Sequence, residues 1–304
     1  MSRWVIIIIV FFSSINCRSQ NRFFESKNSP DKTRIIASSA SIGSLWAGSL
    51  IGLHQVWYSQ SWGDDFQTFD DSKQWLQMDK AGHFLSGYLI AKNTSDIYQW
   101  SGISRRKSRI IGSLISFGYL TSFELMDGKA EEWGFSWSDV GANALGSGWY
   151  LWQDIAWQEQ RLKLKFSAHL TEYAKYRPNV LGSNVAERLL KDYNGQTYWI
   201  SVNPSMFMDE GTAFPKWLNI AFGYSVDEKL VGDEDFYVHL GPTDQPTYFN
   251  AKRQYLLSLD IDLSRLPVKK PWLKSLCKTF NMIKIPFPTL EFSNDGIRGY
   301  GLYF

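Results

Sequence analysis

Runs in which apolar residues recur every three or four positions fill the first half of the chain. Four such segments predict helices, at residues 35–58, about 72–98, 108–126 and 138–157. Each is long enough for several turns, and the connections between them are short, as in an antiparallel bundle. The sequence therefore predicts a four-helix bundle over residues 33–158.

After about Glu159 the apolar residues alternate with polar ones, which is the period of a strand. The segments "WLNIAFGYSV" and "YLLSLDIDL" each place five apolar side chains on one face. The last two segments, "IKIPFPTLEF" and "IRGYGLYF", flank "SNDG", which fits a hairpin turn. Pro286 and Pro288 favour an edge position for the penultimate strand. The predicted fold class is α+β, with a β-rich antiparallel lobe over residues 159–304.

The N-terminus has the pattern of an export signal. Arg3 precedes the apolar run "WVIIIIVFF", and the small-x-small pattern Cys17-Arg18-Ser19 precedes Gln20. This pattern predicts a signal peptide over residues 1–19, followed by a polar leader over residues 20–32. The alternative is lipid attachment at Cys17, although "SINC" departs from the usual lipobox. After cleavage only Cys277 remains, so an intrachain disulfide is excluded.

Two features bear on the membrane. The first helix segment has no formal charge and is long enough to span a bilayer. If the signal is cleaved, however, the basic loop "SRRKSR" falls outside the inner membrane, against the usual preference for the cytoplasm. The terminal "GYGLYF" resembles the last strand of outer-membrane barrels, but about six strands are fewer than their minimum of roughly eight. The alternative is a soluble lobe with a buried last strand.

Export and these features predict a membrane-associated protein of the cell envelope, on the periplasmic or outer-membrane side, with the inner membrane as the alternative. The 304-residue chain has a net charge of only +2 and no basic stripe, which excludes nucleic acid as a partner. The expected partners are membrane lipid or envelope components. The sequence leaves the oligomeric state open.

Polar pairs at helical spacing interrupt three of the four predicted helices. In an up-down bundle the start of the second helix, the end of the third and the start of the fourth lie at the same pole, so the pairs should converge. The pairs are Asp79 with His83, Glu124 with Asp127, and Asp139 with Asn143.

Three kinds of chemistry fit these residues. The first is a mutual network of His83, carboxylates, Lys80 and Asn143, because buried charges must be paired. The second is a divalent metal, held by His83, Glu124, Asp127 and Asp139. The third is acid–base catalysis by Asp79, His83 and Glu124. Motifs of serine hydrolases, zinc peptidases and P-loop enzymes are absent.

Several of these residues also have a purely structural interpretation. Asp139 fits a capping box in which its carboxylate reaches back to the amide of Ser136. Asp127-Gly128 fits a helix stop with Gly128 in the left-handed conformation. Lys80 fits a snorkelling side chain, and Asn143 fits a contact between helices. His54, near the end of the first helix, is a further candidate for the site.

The stretches "DKAGHF", "ELMDG" and "WGFSWSDVGANALG" resemble the VanZ-like proteins and, more closely, the YfiM-type envelope lipoproteins and their larger Bacteroidetes relatives. The resemblance covers roughly residues 35–158 in the helical half. It implies a helical envelope protein in which Asp79, Lys80, His83, Glu124, Asp127, Asp139 and Asn143 are the recurring polar positions. It implies no particular reaction.

Two functions remain open from the sequence. The first is a structural or assembly protein of the cell envelope, in which the carboxylate–histidine network fixes the register of the helices. The alternative is a metal-dependent hydrolase or transferase that acts on a lipid or glycan headgroup. Whether the protein is an enzyme is therefore left open.

Overall fold

A computed structural model describes residues 23–59, 61–131, 133–209, 211–233, 236–240 and 246–304. The predicted signal peptide lies outside the described residues. The part of the leader that is described contacts the far end of the second helix, where the backbone amide of Asp31 donates to the carbonyl of Ser101 at 2.9 Å.

Four long helices precede the first strand, close to the segments that the sequence predicts. Their bounds are α1 Lys32–Leu53, α2 Met78–Trp100, α3 Arg105–Asp127 and α4 Trp137–Trp157. A π-helical turn, His54–Tyr58, extends α1. The largest difference lies before α2, where a 3-10 turn at Gln74–Gln77 carries positive φ angles at Trp75, Leu76 and Gln77. This turn delays the start of α2 beyond the predicted residue 72.

Small residues let α2 pack closely against α3 and α4. A Cβ atom on Gly112 of α3 would lie 2.5 Å from the carbonyl oxygen of Ala91. A Cβ atom on Gly87 of α2 would lie 2.8 Å from the carbonyl oxygen of Asn143, and one on Gly146 of α4 would collide with the backbone of Phe84. The backbones of these helices are therefore almost in contact.

The interior of the bundle is unusually polar. The buried residues of α3 are mostly Ser, Gly and Glu124, and those of α4 include Asp139, Asn143, Gln153 and Asp154. Large apolar side chains point outward instead, such as Leu114 on α3 (65% exposed) and Leu145 on α4 (68% exposed). In water-exposed bundles the apolar stripe faces the core, so α3 and α4 are arranged the opposite way, whereas α2 buries apolar side chains such as Leu85 and Tyr88.

The second half forms a six-stranded antiparallel sheet with the order β1-β2-β3-β6-β7-β8. Its strands are β1 Leu162–Ala168, β2 Gln196–Val202, β3 Leu218–Asp227, β6 Lys252–Ile261, β7 Phe287–Ser293 and β8 Gly296–Tyr303. A separate pair, β4 Phe236–Leu240 and β5 Pro246–Asn250, lies between β3 and β6 in the chain. Three shorter helices connect strands, namely α5 Pro178–Leu181, α6 Val185–Lys191 and α7 Pro271–Phe280. The predicted α+β class is confirmed.

Two expectations about the sheet need correction. The penultimate strand, β7, is not an edge strand, because it pairs with β6 on one side and β8 on the other. Pro288 is accommodated at a register shift between Phe287 and Thr289, where its missing N–H is tolerated. The last strand, β8, forms the sheet edge and is largely exposed rather than buried.

The sheet packs against the bundle through β1. Leu164 of β1 joins Leu85 and Tyr88 of α2 and Tyr150 of α4 in one apolar cluster. Among the described residues, α1 is the helix that is long and apolar enough to cross a membrane, and only 6% of its most apolar window is buried. The boundary at residue 158 between bundle and lobe remains a prediction.

Candidate functional site

The ammonium group of Lys80 lies among carboxylates from three segments of the chain. Its Nζ atom is 2.8 Å from Asp71 Oδ2, 3.0 Å from Asp79 Oδ2 and 2.7 Å from Asp139 Oδ1. Lys80 and Asp79 sit in the first turn of α2, Asp139 in the first turn of α4, and Asp71 in the loop before α2. The start of α2 and the start of α4 therefore meet around one cation.

His83 lies one turn further along α2 and faces the same group. Its Nδ1 atom is 3.0 Å from Asn143 Oδ1 and 3.4 Å from Glu124 Oε1. Its Nε2 atom is 3.6 Å from Asp79 Oδ1 and 3.7 Å from Asp139 Oδ1. Nδ1–H can donate to the Asn143 oxygen, and Nε2 faces the oxygens of Asp79 and Asp139.

Three buried polar atoms around His83 have no hydrogen bond of good geometry within the described residues. They are Glu124 Oε1, Asn143 Nδ2 and Asp139 Oδ1. The last contacts Lys80 as an ion pair at 2.7 Å, but away from the directions of a hydrogen bond. Glu124 is only 1% exposed and Asn143 is fully buried. Buried polar atoms without hydrogen bonds cost free energy, so the centre of the cluster could bind a further ion or polar group.

Three acids of the cluster, Glu124, Asp127 and Asp139, resist ionisation. Burial, reinforced by Asp139, Asp127 and Asp79, raises the pKa of Glu124 to about 9. Burial also raises the pKa of Asp127 to about 6, against the hydrogen bond from Tyr58. The pKa of Asp139 rises to about 6 through burial and the negative charge of Asp79, although Lys80 opposes the rise. At neutral pH the Glu124 side chain is therefore a neutral carboxylic acid.

Lys80 and Asp71 are held in their charged forms. Burial alone would lower the pKa of Lys80, but Asp79, Asp139 and Asp71 hold it above its ordinary value. Burial alone would raise the pKa of Asp71, yet hydrogen bonds from Lys80, Ser136 and Ser138 lower it to about 2. The two serine hydroxyls donate to Asp71 Oδ1 at 2.6 and 2.8 Å. This part of the cluster is a satisfied ion pair.

Tyrosines complete the cluster, and the sequence reasoning missed them. The hydroxyl of Tyr58, just after α1, donates to Asp127 Oδ1 at 2.6 Å. The hydroxyl of Tyr193, which precedes β2, donates to Asp79 Oδ1 at 3.0 Å. Helical spacing cannot reveal either residue, because each reaches the cluster from another part of the fold. Asp71 was missed for the same reason.

The geometry selects a different set of possible metal ligands from the one expected. Donor atoms of Asp79, His83 and Asp139 all lie within 4.8 Å of one another. Metal–ligand bonds of about 2.1 Å place the donors of one ion about 3–4 Å apart, which fits this trio. Of the other two expected ligands, Glu124 contacts His83, and Asp127 accepts a hydrogen bond from Tyr58. Lys80, however, contacts both carboxylates of the trio and supplies a positive charge there.

The structure also bears on two structural interpretations, the capping box at Ser136 and Asp139 and the helix stop at Gly128. Ser136 is the N-cap of α4, and its Oγ accepts from the amide of Asp139 at 3.1 Å. The Asp139 carboxylate points to Lys80, as the 2.7 Å ion pair shows. Gly128 ends α3 with φ −62°, so the expected left-handed cap is wrong. A glycine is needed there because a Cβ atom would collide with the ring of Phe66.

The cluster reaches solvent only at one side. The side chains of His83 and Asp79 are 24% and 25% exposed, whereas those of Glu124 and Asp139 are 2% and 6% exposed. His54, the further candidate, stacks edge-on against Trp62 with ring centroids 4.7 Å apart. The arrangement is neither a sealed core nor a wide cleft.

One family model matches the chain, over residues 65–153, and its description is "Predicted periplasmic lipoprotein (DUF2279)". The matched stretch contains α2, α3 and most of α4, with every cluster residue except Tyr58 and Tyr193. No curated protein and no solved structure matches the chain. The match supports an exported envelope protein of unknown activity, and the predicted location in the cell envelope, in association with a membrane, is confirmed.

Proposed function

We propose that the chain is a structural or assembly protein of the cell envelope, in which the Lys80 cluster fixes how the helices pack. One observation carries this proposal: the ammonium group lies within 3.0 Å of carboxylates from the loop before α2, from α2 and from α4. Lys80 thus occupies the position in which a cation would join these segments. Asp71, Asp79 and Asp139 therefore share a cation that belongs to the chain itself.

The energetics of buried charge support this role. Removing one partner of a buried ion pair leaves an uncompensated charge, at a cost of about 3–5 kcal/mol. Here the loss of Lys80 would leave Asp71 and Asp139 without their common cation. Tyr193 also ties Asp79 to the chain segment before β2. The cluster would therefore hold the bundle in register and fasten the β-rich lobe to it.

We also propose a relationship to the VanZ-like and YfiM-type families. The motifs that resemble the VanZ-like and YfiM-type proteins, with their polar positions, lie between Asp79 and Gly146, within the matched residues 65–153. We place the chain beside those envelope families on that ground. The expected partners remain membrane lipid or other envelope components.

A metal-dependent hydrolase or transferase acting on a lipid or glycan headgroup is the second candidate. It is favoured by the unsatisfied atoms of Glu124, Asp139 and Asn143 and by the spacing of the Asp79, His83 and Asp139 donors. Four aspartates, Asp71, Asp79, Asp127 and Asp139, surround one lysine and one histidine, together with the neutral acid Glu124. A divalent cation would offset this excess of negative charge, with His83 and Asp79 at the solvent side.

Thermal unfolding with and without a chelator separates the two candidates. The network proposal expects an unfolding temperature that a chelator does not change, and purified protein without a stoichiometric metal by elemental analysis. A metal centre would stabilise the folded state by mass action. A fall in the unfolding temperature with chelator, restored by Mn²⁺ or Zn²⁺, would therefore contradict the purely structural role. A His83→Ala variant that has lost this response would assign the metal to the cluster.

A further inference from the structure

One face of the sheet is apolar; it packs against the bundle at β1 and is exposed on the strands further along the sheet. Large side chains of β2, β3, β6, β7 and β8 point outward, and we call this surface the outer face. Its members include Phe222 (54% exposed), Tyr255 (56%) and Ile297 (71%). The register aligns them across the strands, because Phe222 pairs with Leu257 and Leu257 with Leu290. The other exposed members are Ile200, Leu259, Leu290, Phe292, Leu302 and Phe304.

The opposite, inner face is buried and carries charged side chains beside an apolar cluster around Trp199 and Leu256. Lys165 Nζ and Asp260 Oδ2 form an ion pair of 2.6 Å with both side chains fully buried. Ser201 donates to Asp260 at 2.6 Å, and Glu291 and Thr289 are likewise buried. A slip of one residue would exchange the two faces. The buried ion pair and its hydrogen bonds oppose such a slip, so the sheet keeps its apolar side outward.

A basic amphipathic helix lies at one end of this sheet. Helix α7 leaves from the end of β6 and returns to the start of β7. Its apolar residues Trp272, Leu276 and Phe280 are 43–50% exposed. Lys269 and Lys270 precede it, Lys274 and Lys278 lie on it, and residues 263–290 contain no Asp or Glu. Exposed Trp, Leu and Phe beside lysines are typical of helices that lie at a membrane interface.

We propose that the outer face and α7 together rest in an anionic lipid bilayer. The acyl chains cover the outer face, and the lysines around α7 meet the negative headgroups. Charge complementarity favours lipid over a second copy of this chain, which would bring the same basic segments together. Helices α3 and α4 of the bundle also carry outward apolar side chains. Lipid can cover the apolar surfaces of both the sheet and the bundle, whereas a single protein partner would have to contact both.

Site-specific labelling tests the position of the outer face. The full chain carries Cys17→Ser and Cys277→Ser, with an environment-sensitive fluorophore on Leu290→Cys or, as the control, on the exposed Asn179→Cys of α5. With vesicles of phosphatidylglycerol and phosphatidylcholine, the label at 290 should shift to the blue and lose most of its fluorescence to spin-labelled acyl chains. The label at 179 should not change.

Either of two results would overturn the placement. The first is a label at 290 that stays in water while the protein binds the vesicles. The second is a label at 290 that becomes shielded without vesicles, as the protein concentration rises, since this indicates a second copy of the chain.

Charge removal on α7 tests the headgroup contact separately. Replacing Lys270, Lys274 and Lys278 together by Gln should weaken binding to the anionic vesicles on the order of a hundredfold, because each lysine near such a surface is worth about a factor of five. Lys175→Gln, on an exposed 3-10 turn, is the control and should have little effect. Unchanged affinity of the triple variant, or equal affinity of the wild type for pure phosphatidylcholine, contradicts the anionic surface.

Discussion

Ionisation of the buried Glu124 opposes the folded state. Its pKa rises from about 4.5 to about 9 because it is buried among other acids. Between these two values the folded chain binds one proton more than the unfolded chain, so the free energy of unfolding falls as the pH rises. Ionisation of Asp127 and of Asp139 also lowers the free energy of unfolding as the pH rises. Their pKa values are raised to about 6, so these two losses of stability end near pH 6.

Glu124→Gln should therefore remove most of the loss of stability between about pH 7 and pH 9, on the order of a few kcal/mol. The amide keeps the size of the neutral acid, so little change is expected below about pH 4.5, where Glu124 is protonated in both the folded and the unfolded chain. Denaturant unfolding across this pH range measures the effect, with the exposed Glu172→Gln as control. A slope that is the same in wild type and Glu124→Gln would show that Glu124 ionises freely.

Helical spacing predicts that Asp79, His83, Glu124, Asp127, Asp139 and Asn143 lie at one pole. In the structure these six residues lie around His83 and the neighbouring Lys80. The partners that spacing could not supply come from other segments, namely Asp71, Tyr58 and Tyr193. From the sequence, Lys80 is expected to snorkel or to pair with an acid. Its position at the centre of the carboxylate cluster is not predicted. Its role depends on Asp71 and Asp139, which approach only after the loop and α4 have packed.

At the level of elements, the helices of the bundle depend on backbone contact rather than on large apolar side chains. Their bounds were predictable because their periodicity is strong and their connections are short. The outward direction of the apolar side chains was not predictable, since periodicity identifies a face without saying what covers it. The same ambiguity applies to β3 and β6, whose alternation was clear in the sequence.

Two neighbouring glycines of α4 offer a matched test of helix contact. Gly146→Ala should destabilise the fold by about 1–3 kcal/mol, because the new Cβ atom meets the backbone of Phe84. Gly148 has nothing within 4 Å of its Cβ position, so Gly148→Ala should stabilise the helix by up to about 1 kcal/mol. The difference in unfolding free energy between the two variants is the measurement. Equal effects would mean that α2 and α4 are not in contact at Gly146.

Over the whole molecule, α3, α4 and the sheet bury charged side chains and expose large apolar ones. Buried Lys165, Asp260 and Asp154 contrast with exposed Phe222, Ile297 and Leu145. This arrangement agrees with a location in the envelope, next to a membrane. The sequence predicted that location from its N-terminus and apolar segments, but it could not separate a soluble lobe from one with a lipid-facing sheet. That distinction depends on which face the strands bury.

The state of the N-terminus is open to direct measurement. Cleavage after Ser19 predicts a mature chain that begins at Gln20, and mass spectrometry of the protein from an envelope fraction should detect that terminal peptide. A peptide that begins at Cys17 with a diacylglyceryl group would contradict the cleavage site and agree with the word lipoprotein in the family description. Both results keep the chain in the envelope, whereas recovery of the intact chain from the cytosol would not.

In the proposed role, Lys80 is the internal cation that joins the helices of the bundle. Lys80→Met keeps the length and apolar stem of the side chain but removes the charge, and should lower the free energy of unfolding by about 3–5 kcal/mol. Lys92→Met is the control on the same helix, because Lys92 pairs with the half-exposed Asp96 at 2.9 Å and should cost less than about 1 kcal/mol. Denaturant unfolding of both variants beside the wild type is the most direct measurement. A Lys80→Met protein as stable as the Lys92→Met control would contradict the account.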